Sequence, residues 1–261
     1  MKINFSKYQG TGNDFIMLNN LKGIYDELSI PQIQFLCDRK FGIGADGLIK
    51  ISNTINADFE MDYYNSDGSK SFCGNGARCS VKFAESIGLD VFKTSFLAID
   101  GRHQASLSEE TVSLKMNDVR QIKIVKNDFE IYTGSPHYIK FVENSLDVNV
   151  VEEGKKIRYA MEYNEKGINV NFVEILSENE LEVATYERGV ENETLSCGTG
   201  VVASAIAYAS MKNLKGNHLI RIHTKGGKLY VSLQVNPDGS FFNINLIGPA
   251  TFVFEGEIEV E

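Results

Sequence analysis

The chain has little that would bind a metal, cross a membrane or hold a polyanion. Its four cysteines, at 37, 73, 79 and 197, include no C-x-x-C pair, and their spacing suggests neither a zinc site nor a disulfide framework. No metal is expected, and the cysteines are read as reduced thiols. Basic residues number 26 against 35 acidic ones, for a formal charge of −9, so nucleic acid and acidic lipid are not expected partners. Long apolar runs are missing too. The opening "MKINFSKYQG" lacks the apolar core of a signal peptide. The best membrane candidate, "VVASAIAYASM" (Val201 to Met211), is too short to span a bilayer and carries serines. A soluble, cytoplasmic protein is expected. The remainder is ordinary globular material: 261 residues, 43% hydrophobic and 23% charged, enough for one large domain or two of average size.

What the chain does contain is a repeat. "CGNGARC" from Cys73 and "SCGTGVVASAIAYASMKNL" from Ser196 both read Cys-Gly-x-Gly and then enter a helical pattern, with the two cysteines 124 residues apart. "YQGTGNDFIML" from Tyr8 faces "YTGSPHYIKFV" from Tyr132 at the same offset; "GIGADGLIKI" from Gly42 faces "GINVNFVEI" from Gly167 at 125, and "ASLSEETVSLKM" from Ala105 faces "VSLQVNPDGSFFNINL" from Val231 at 126. Four matches in one order argue for two copies of one unit, too few for a solenoid. The halves are expected at 1–118, completed by a C-terminal strand over about 249–261, and at 119–248, with the boundary near Asn117 to Lys123.

Each half reads as α+β. "FEMDYYN", "LEVATYE", "VSLKM" and "FFNINL" alternate as strands do, and "NPDG" is a hairpin turn signal. "IPQIQFLCDRKFG" (Ile30 to Gly42) places Ile33, Leu36 and Cys37 on one helical face. The other helices are those that follow Cys73 and Cys197. The second is apolar nearly all round, as a buried helix is.

A cysteine at a helix start is chemically specific. The first turn offers unpaired N–H groups and partial positive charge, which makes a thiol easier to ionise and forms a cradle for carboxylate. Glycines let a ligand approach the backbone. Two such starts, brought to one cleft by a pseudo-twofold, would put a sulfur on either face of the carbon beside a bound carboxylate. One thiolate would remove the proton and the opposite thiol would return one, inverting the centre. The cradle would stabilise the developing charge. Cys37 and Cys79 read as packing.

"GTGNDF" (Gly10 to Phe15), "GIGADGL" (Gly42 to Leu48), "YNSDGS" with "CGNGARC" (Tyr64 to Cys79), "YERGVENETLSCGTG" (Tyr186 to Gly200) and "KGGKLYV" (Lys225 to Val231) together resemble the diaminopimelate epimerase family along nearly the whole chain. The resemblance implies two pseudo-symmetric halves, each a mainly antiparallel sheet wrapped around a central helix, with the active site in the cleft between them. It implies a homodimeric isomerase that needs no cofactor, pyridoxal phosphate included, and interconverts LL- and meso-2,6-diaminopimelate for lysine and peptidoglycan precursor synthesis. By the same resemblance, Cys73 and Cys197 match the two bases, while Gly74, Asn75, Gly198 and Thr199 match the carboxylate cradle. Asn13, Asn65, Asn169, Glu187 and Arg188 match substrate contacts, and His137 and Glu187 are tied to catalysis. Taken alone, each asparagine reads as a turn residue and Glu187-Arg188 as a solvated pair. Two departures stand out: Ser135 where many members have asparagine, and Gly47 where some have glutamine. The competing readings are a thiol hydrolase using Cys73 with His137, a proline-racemase-like enzyme, and a non-catalytic amino-acid binding protein.

Overall fold

The alternating segments fold as strands, and the stretches behind Cys73 and Cys197 fold as helices. In the computed structural model, which describes residues 1–260, the chain divides into two units. The first is Met1–Leu114 with the segment that starts at Gly248; the second is Lys115–Ile247.

In the first unit β1 (Lys2–Gly10) and β2 (Asn13–Asn20) form a hairpin, closed by Thr11 and Gly12 at φ of 50° and 86°. Helix α1 (Ile30–Cys37) then carries the chain to β3 (Gly47–Ser52), parallel to β2. Ser29 caps α1 in a reciprocal capping box with Gln32. The antiparallel neighbour of β3 is β4 (Phe59–Asn65), and α2 (Gly74–Ser86) crosses over to β5 (Thr94–Ala98), parallel to β4. β6 (Gly101–Ser108) and β7 (Thr111–Lys115) follow as a meander. Both faces of this sheet are covered, so "FIML" of β2 is apolar without alternation. Phe15, Ile49 and Met61 point at Gly76 of α2, whereas Ile16, Leu18 and Leu48 pack with Ile33, Leu36 and Cys37 of α1.

The second unit repeats this order. β8 (Lys123–Val125), β9 (Asp128–Tyr132) and β10 (Pro136–Phe141) run antiparallel. After a 3-10 turn comes α3 (Val150–Arg158), then β11 (Asn169–Ser177) parallel to β10 and β12 (Glu180–Glu187) antiparallel to β11. A short β13 (Asn192–Thr194) leads into α4 (Gly198–Met211). β14 (Gly216–Thr224), parallel to β12, meanders into β15 (Gly227–Val235) and β16 (Phe241–Pro249). Asn236 to Gly239, the expected turn, joins the last two. Finally β17 (Thr251–Glu259) returns to the first unit and pairs antiparallel with β1, as β8 does with β9. Among the described residues no helix is long and apolar enough to cross a membrane.

Helix α3 is absent from the sequence reading. Its nine residues are capped by Asn149, which accepts from the Glu152 N–H, with Glu152 and Glu153 in the first turn and Lys155, Lys156 and Arg158 in the last. That charge order complements the helix dipole. It is the counterpart of α1. Val150 and Ile157 cover Val170, Phe172 and Tyr186 on the face of the sheet away from Asn171, and Gly154 lies so close that a Cβ would fall 2.5 Å from Tyr186.

Strand register corrects two of the four repeat matches. Gly47 is paired with both Phe15 and Asn65 in the first unit; Asn169 is paired with His137 in the second, and the next pair on that ladder is Val170 with Tyr186. The equivalent trios are therefore Phe15, Gly47, Asn65 and His137, Asn169, Glu187, at a constant offset of 122. Gly42 and Gly167, matched on their glycines, are three residues out of this register, and the match of Tyr8 with Tyr132, which would set Phe15 on Ile139, is two residues out along β2 and β10. The Ala105–Val231 match agrees with the ladders, because Thr94 pairs Ala105 as Ile220 pairs Val231.

Candidate active site

Cysteine is not among the residues that cap helices well, yet both central helices have it as N-cap. Cys73 (φ −129°) precedes Gly74 of α2, and Cys197 (φ −115°) precedes Gly198 of α4. The match extends into the helices. At equivalent positions Ser80 and Ser204 are buried and donate back to the carbonyls of Gly76 and Gly200, at 2.9 and 2.8 Å. Helix α4 buries Val201, Val202, Ala203, Ala205, Ile206 and Ala207 completely. Burying the valines and the isoleucine stabilises by roughly 1.5–3 kcal/mol per side chain, which fixes the helix start that presents Cys197.

In the first unit, Cys73, Asn13 and Asn75 come together. The Cys73 thiol accepts from the Gly76 N–H at 3.5 Å and donates to Asn13 Oδ1 at 3.3 Å, which also accepts from Asn75 Nδ2 at 3.5 Å. Asn13 is oriented from behind, its amide donating to Asp46 at 2.5 Å. Asp46 and Asp14 are clamped by Arg39, and Asp14 is also paired with the buried Lys7 at 2.7 Å. Burial pushes the Asp14 carboxyl upward, but the bonds from Arg39 and Lys7 outweigh it and hold the group well below the carboxylate range. Asn65 is engaged elsewhere: it donates to Ser69 and Ser71 and accepts from the Tyr63 hydroxyl at 2.9 Å. Gly47 has a steric reason, since a Cβ there would fall 2.4 Å from both the Tyr63 ring and the Tyr64 carbonyl oxygen.

In the second unit a continuous chain of bonds runs to Cys197. Thr185 Oγ1 donates to Asn171 Oδ1 at 2.9 Å, which fixes the amide so that Asn171 Nδ2 faces His137 Nδ1 at 3.1 Å. Nδ1 therefore accepts, and Nε2 carries the proton. Nε2 donates to Thr199 Oγ1 at 2.9 Å, leaving the Thr199 hydroxyl to donate toward Cys197 Sγ, 3.6 Å away. His137 is fully buried; burial, with the Arg188 charge added, pulls its pKa down to about 3. It is a neutral hydrogen-bond donor. Thr133 anchors the other side of the turn by donating to the Thr199 carbonyl at 2.8 Å.

A second group sits at the ends of β10, β11 and β12. Asn169 donates to Ser135 Oγ at 2.9 Å and accepts from the Arg188 N–H at 2.8 Å; the Arg188 guanidinium reaches the Lys166 carbonyl and Ser135 Oγ. Ser135 thus ties Asn169 to Arg188, which is an exposed residue. Glu187 stands at this same end of β12, beside Arg188, and burial raises its carboxyl above the usual carboxylate range.

Sequence reasoning missed Asn171. Its signal is "NVNFV": asparagine two positions after Asn169, on a strand otherwise apolar, shares that residue's face and must be buried and bonded.

The chain has counterparts among known proteins. The diaminopimelate epimerase family model matches residues 5–121 and 129–253. A diaminopimelate epimerase of Flavobacterium psychrophilum is 50% identical over 255 residues, covering 97% of this chain and 98% of that protein. One of Chlorobaculum tepidum is 39% identical, covering 95% and 98%. Among solved structures, a Bacillus anthracis phenazine biosynthesis protein of the PhzF family superposes with a TM-score of 0.77 at 16% identity over the whole of both chains. A hydroxyproline epimerase of Agrobacterium vitis gives 0.67 at 14% identity, covering 98% and 91%. Those two likenesses concern the fold alone. The match to the family model over most of the chain and the identity to diaminopimelate epimerases, beside two helices with cysteine at the N-cap position, establish that the chain belongs to the diaminopimelate epimerase family.

Proposed function

We infer that the chain is an isomerase that interconverts LL- and meso-2,6-diaminopimelate, in lysine and peptidoglycan precursor synthesis, with Cys73 and Cys197 as the two bases. The observation that carries this reading is the recurrence of cysteine as N-cap at the same point of both units in a member of this family. In the LL-to-meso direction the Cys73 thiolate takes the α-proton while the Cys197 thiol delivers one to the opposite face; the reverse reaction exchanges the roles. N–H groups of Gly74, Asn75, Gly198 and Thr199 hold the reacting carboxylate and stabilise charge that spreads onto it as the proton leaves.

The other residues divide the work. Asn13 and Thr199 orient the sulfurs, and His137 acts through Thr199 as a fixed donor that supports negative charge at Cys197. Asn65, Asn169 and Arg188 receive the substrate's amino-acid groups, Arg188 gripping a carboxylate and Glu187 an ammonium. Binding energy from the distal head then orients the reacting carbon. The hydrolase reading is disfavoured because both ring nitrogens of His137 are engaged and its pKa is low; a histidine that activates a thiol must accept its proton. A cytoplasmic location belongs to the same proposal, since two reduced thiols need a reducing compartment. So does a homodimer, supported by Phe252, Val253 and Phe254 of β17, each about half exposed.

The direct test incubates purified protein with LL-diaminopimelate, without pyridoxal phosphate, and follows the meso isomer by chiral chromatography. Turnover is expected, and it is expected to vanish in Cys73→Ser and in Cys197→Ser without loss of folding. Full turnover in either variant refutes the assignment.

A further inference from the structure

We propose that Glu191 is a positioning residue: its side chain ties the turn that carries Arg188 to helix α3, and so sets where Arg188 meets the distal carboxylate of the substrate. This rests on the reading of Arg188 given above and adds to it the residue that aims the guanidinium.

The turn from Glu187 to Glu191 is closed by the Glu191 N–H, which donates to the Glu187 carbonyl at 2.8 Å. Glu191 has a φ of 57°, in the left-handed region, where a glutamate is uncommon and persists only when its surroundings hold it. Its own carboxylate supplies the hold. Oε2 accepts from the Tyr186 hydroxyl at 2.9 Å and from the Tyr159 hydroxyl at 3.0 Å. Oε1 accepts from the Gly189 N–H at 3.1 Å and lies 3.4 Å from Arg158 Nε. Three of these four partners lie outside the turn: Arg158 ends α3, Tyr159 caps it, and Tyr186 is fully buried against Gly154 of the same helix. The fourth, Gly189, follows Arg188 directly. One carboxylate therefore joins the backbone beside Arg188 to α3. Burial pushes the Glu191 carboxyl up, but these donors outweigh it and hold the group below the usual carboxylate range, so it is ionised at neutral pH.

The end of α3 also meets Arg188 along its side chain. Gly167, at φ 69°, lies between the two arginines: a Cβ there would fall 2.6 Å from Arg188 Cδ and 2.7 Å from Arg158 Cζ. Arg158 Nη1 donates to the Tyr163 carbonyl at 3.4 Å, and Arg188 Nη1 to the Lys166 carbonyl at 2.8 Å, so both bind the segment that leads to Gly167. Glu191 pairs with Arg158 and not with Arg188. It fixes the turn without neutralising the group that would hold the substrate's carboxylate. The first unit makes the same connection with neutral groups. By the ladder offset of 122, Asn65 to Ser69 is the equivalent turn and α1 the equivalent helix. There the Asn65 N–H donates to the Ser69 carbonyl at 2.8 Å, Gln34 of α1 donates to the Asp67 carbonyl at 2.7 Å, and a Cβ on Gly68 would fall 2.4 Å from Ile30 Cγ2 of α1. In both units the helix that covers the sheet holds the turn that carries a residue assigned to the substrate, Asn65 in one and Arg188 in the other.

The test is a double-mutant cycle, read by calorimetric titration of an equilibrated LL and meso mixture of diaminopimelate into full-length wild type, Glu191→Gln, Arg188→Ala and the double variant. Glu191→Gln keeps the side chain's length but turns an amide N–H toward groups that are themselves donors, and it should weaken binding about 5–20-fold. Arg188→Ala should weaken it about 30–100-fold, and the double variant should match Arg188→Ala to within about twofold, because Glu191 acts only through Arg188. A Glu191 that serves the fold alone would lower Tm and leave Kd unchanged, or would weaken binding equally in both backgrounds. Either result overturns the proposal, as does a wild type that does not bind diaminopimelate. Should Glu191→Gln fail to fold, Tyr159→Phe takes its place in the cycle, with about a 2–5-fold loss expected in the wild-type background and none beside Arg188→Ala. The readout is binding rather than turnover, so a protein that binds diaminopimelate without inverting it would refute the two-base reading while the cycle still decides the role of Glu191.

Discussion

Gly76 and Gly200 occupy the same place in the two units, yet replacing them with alanine should have opposite outcomes. Each is the third residue of its helix, where alanine gains up to about 1 kcal/mol in helix propensity. At Gly76 a new Cβ would meet Ile49 Cδ1 at 3.0 Å and Met61 Cε at 3.3 Å, the ends of flexible apolar chains. These can yield, and Gly76→Ala should be neutral to within about 1 kcal/mol. At Gly200 the Cβ would fall 2.3 Å from Asn171 Oδ1 and 3.3 Å from His137 Cε1. Asn171 cannot move without breaking its bonds to Thr185, His137 and the Tyr138 carbonyl, all buried. Stranding one or two such groups costs roughly 1–3 kcal/mol each, so Gly200→Ala should destabilise by about 2–4 kcal/mol and lower Tm by on the order of 10 °C. Paired urea and thermal melts measure this. Activity should fall as well, because the displaced His137 no longer holds Thr199. Equal stability of the two variants would refute the packing argument and the hydrogen-bond chain that depends on it.

Three further outcomes follow from the charges. Asp14→Asn leaves Lys7 buried without its partner and should cost on the order of 2–3 kcal/mol at neutral pH. Because the folded carboxyl is depressed, that contribution is present above about pH 4 and is lost as pH falls toward the depressed value, so the gap between variant and wild type should close in acid melts. His137 has a folded pKa near 3 against an unfolded value of 6.5, so the unfolded state binds the extra proton between them. Wild-type stability should therefore drop by about 1.4 kcal/mol per pH unit below 6.5 from this group, and His137→Asn should remove that slope. Arg188→Ala should lower kcat/KM for diaminopimelate about 30–100-fold, chiefly through KM, while stability is kept; an unchanged KM would remove Arg188 from the substrate's distal end.

The sequence makes the site legible where chemistry and helix geometry coincide. Cys73 and Cys197 stand out because a glycine-flanked cysteine at a helix start recurs, and the apolar run after Cys197 correctly marks a buried helix. Matching on glycines fails at Gly42 and Gly167, because turn glycines drift with loop length while register is set by the ladders. Helix α3 was hidden by its polar surface; only Val150 and Gly154 of its nine residues are buried, too few for a strong apolar period. Asn171 is a buried polar residue inside an apolar strand, and its importance shows only when its partners, remote in sequence, are placed.

The most direct test of the central claim follows the hydrogen itself. With LL-diaminopimelate in deuterated water at low conversion, the meso product should carry solvent deuterium at the inverted carbon while recovered substrate carries none, because a different sulfur delivers each proton. Product that retains the original hydrogen, or substrate that exchanges as fast as product forms, would point to a single base and contradict the account.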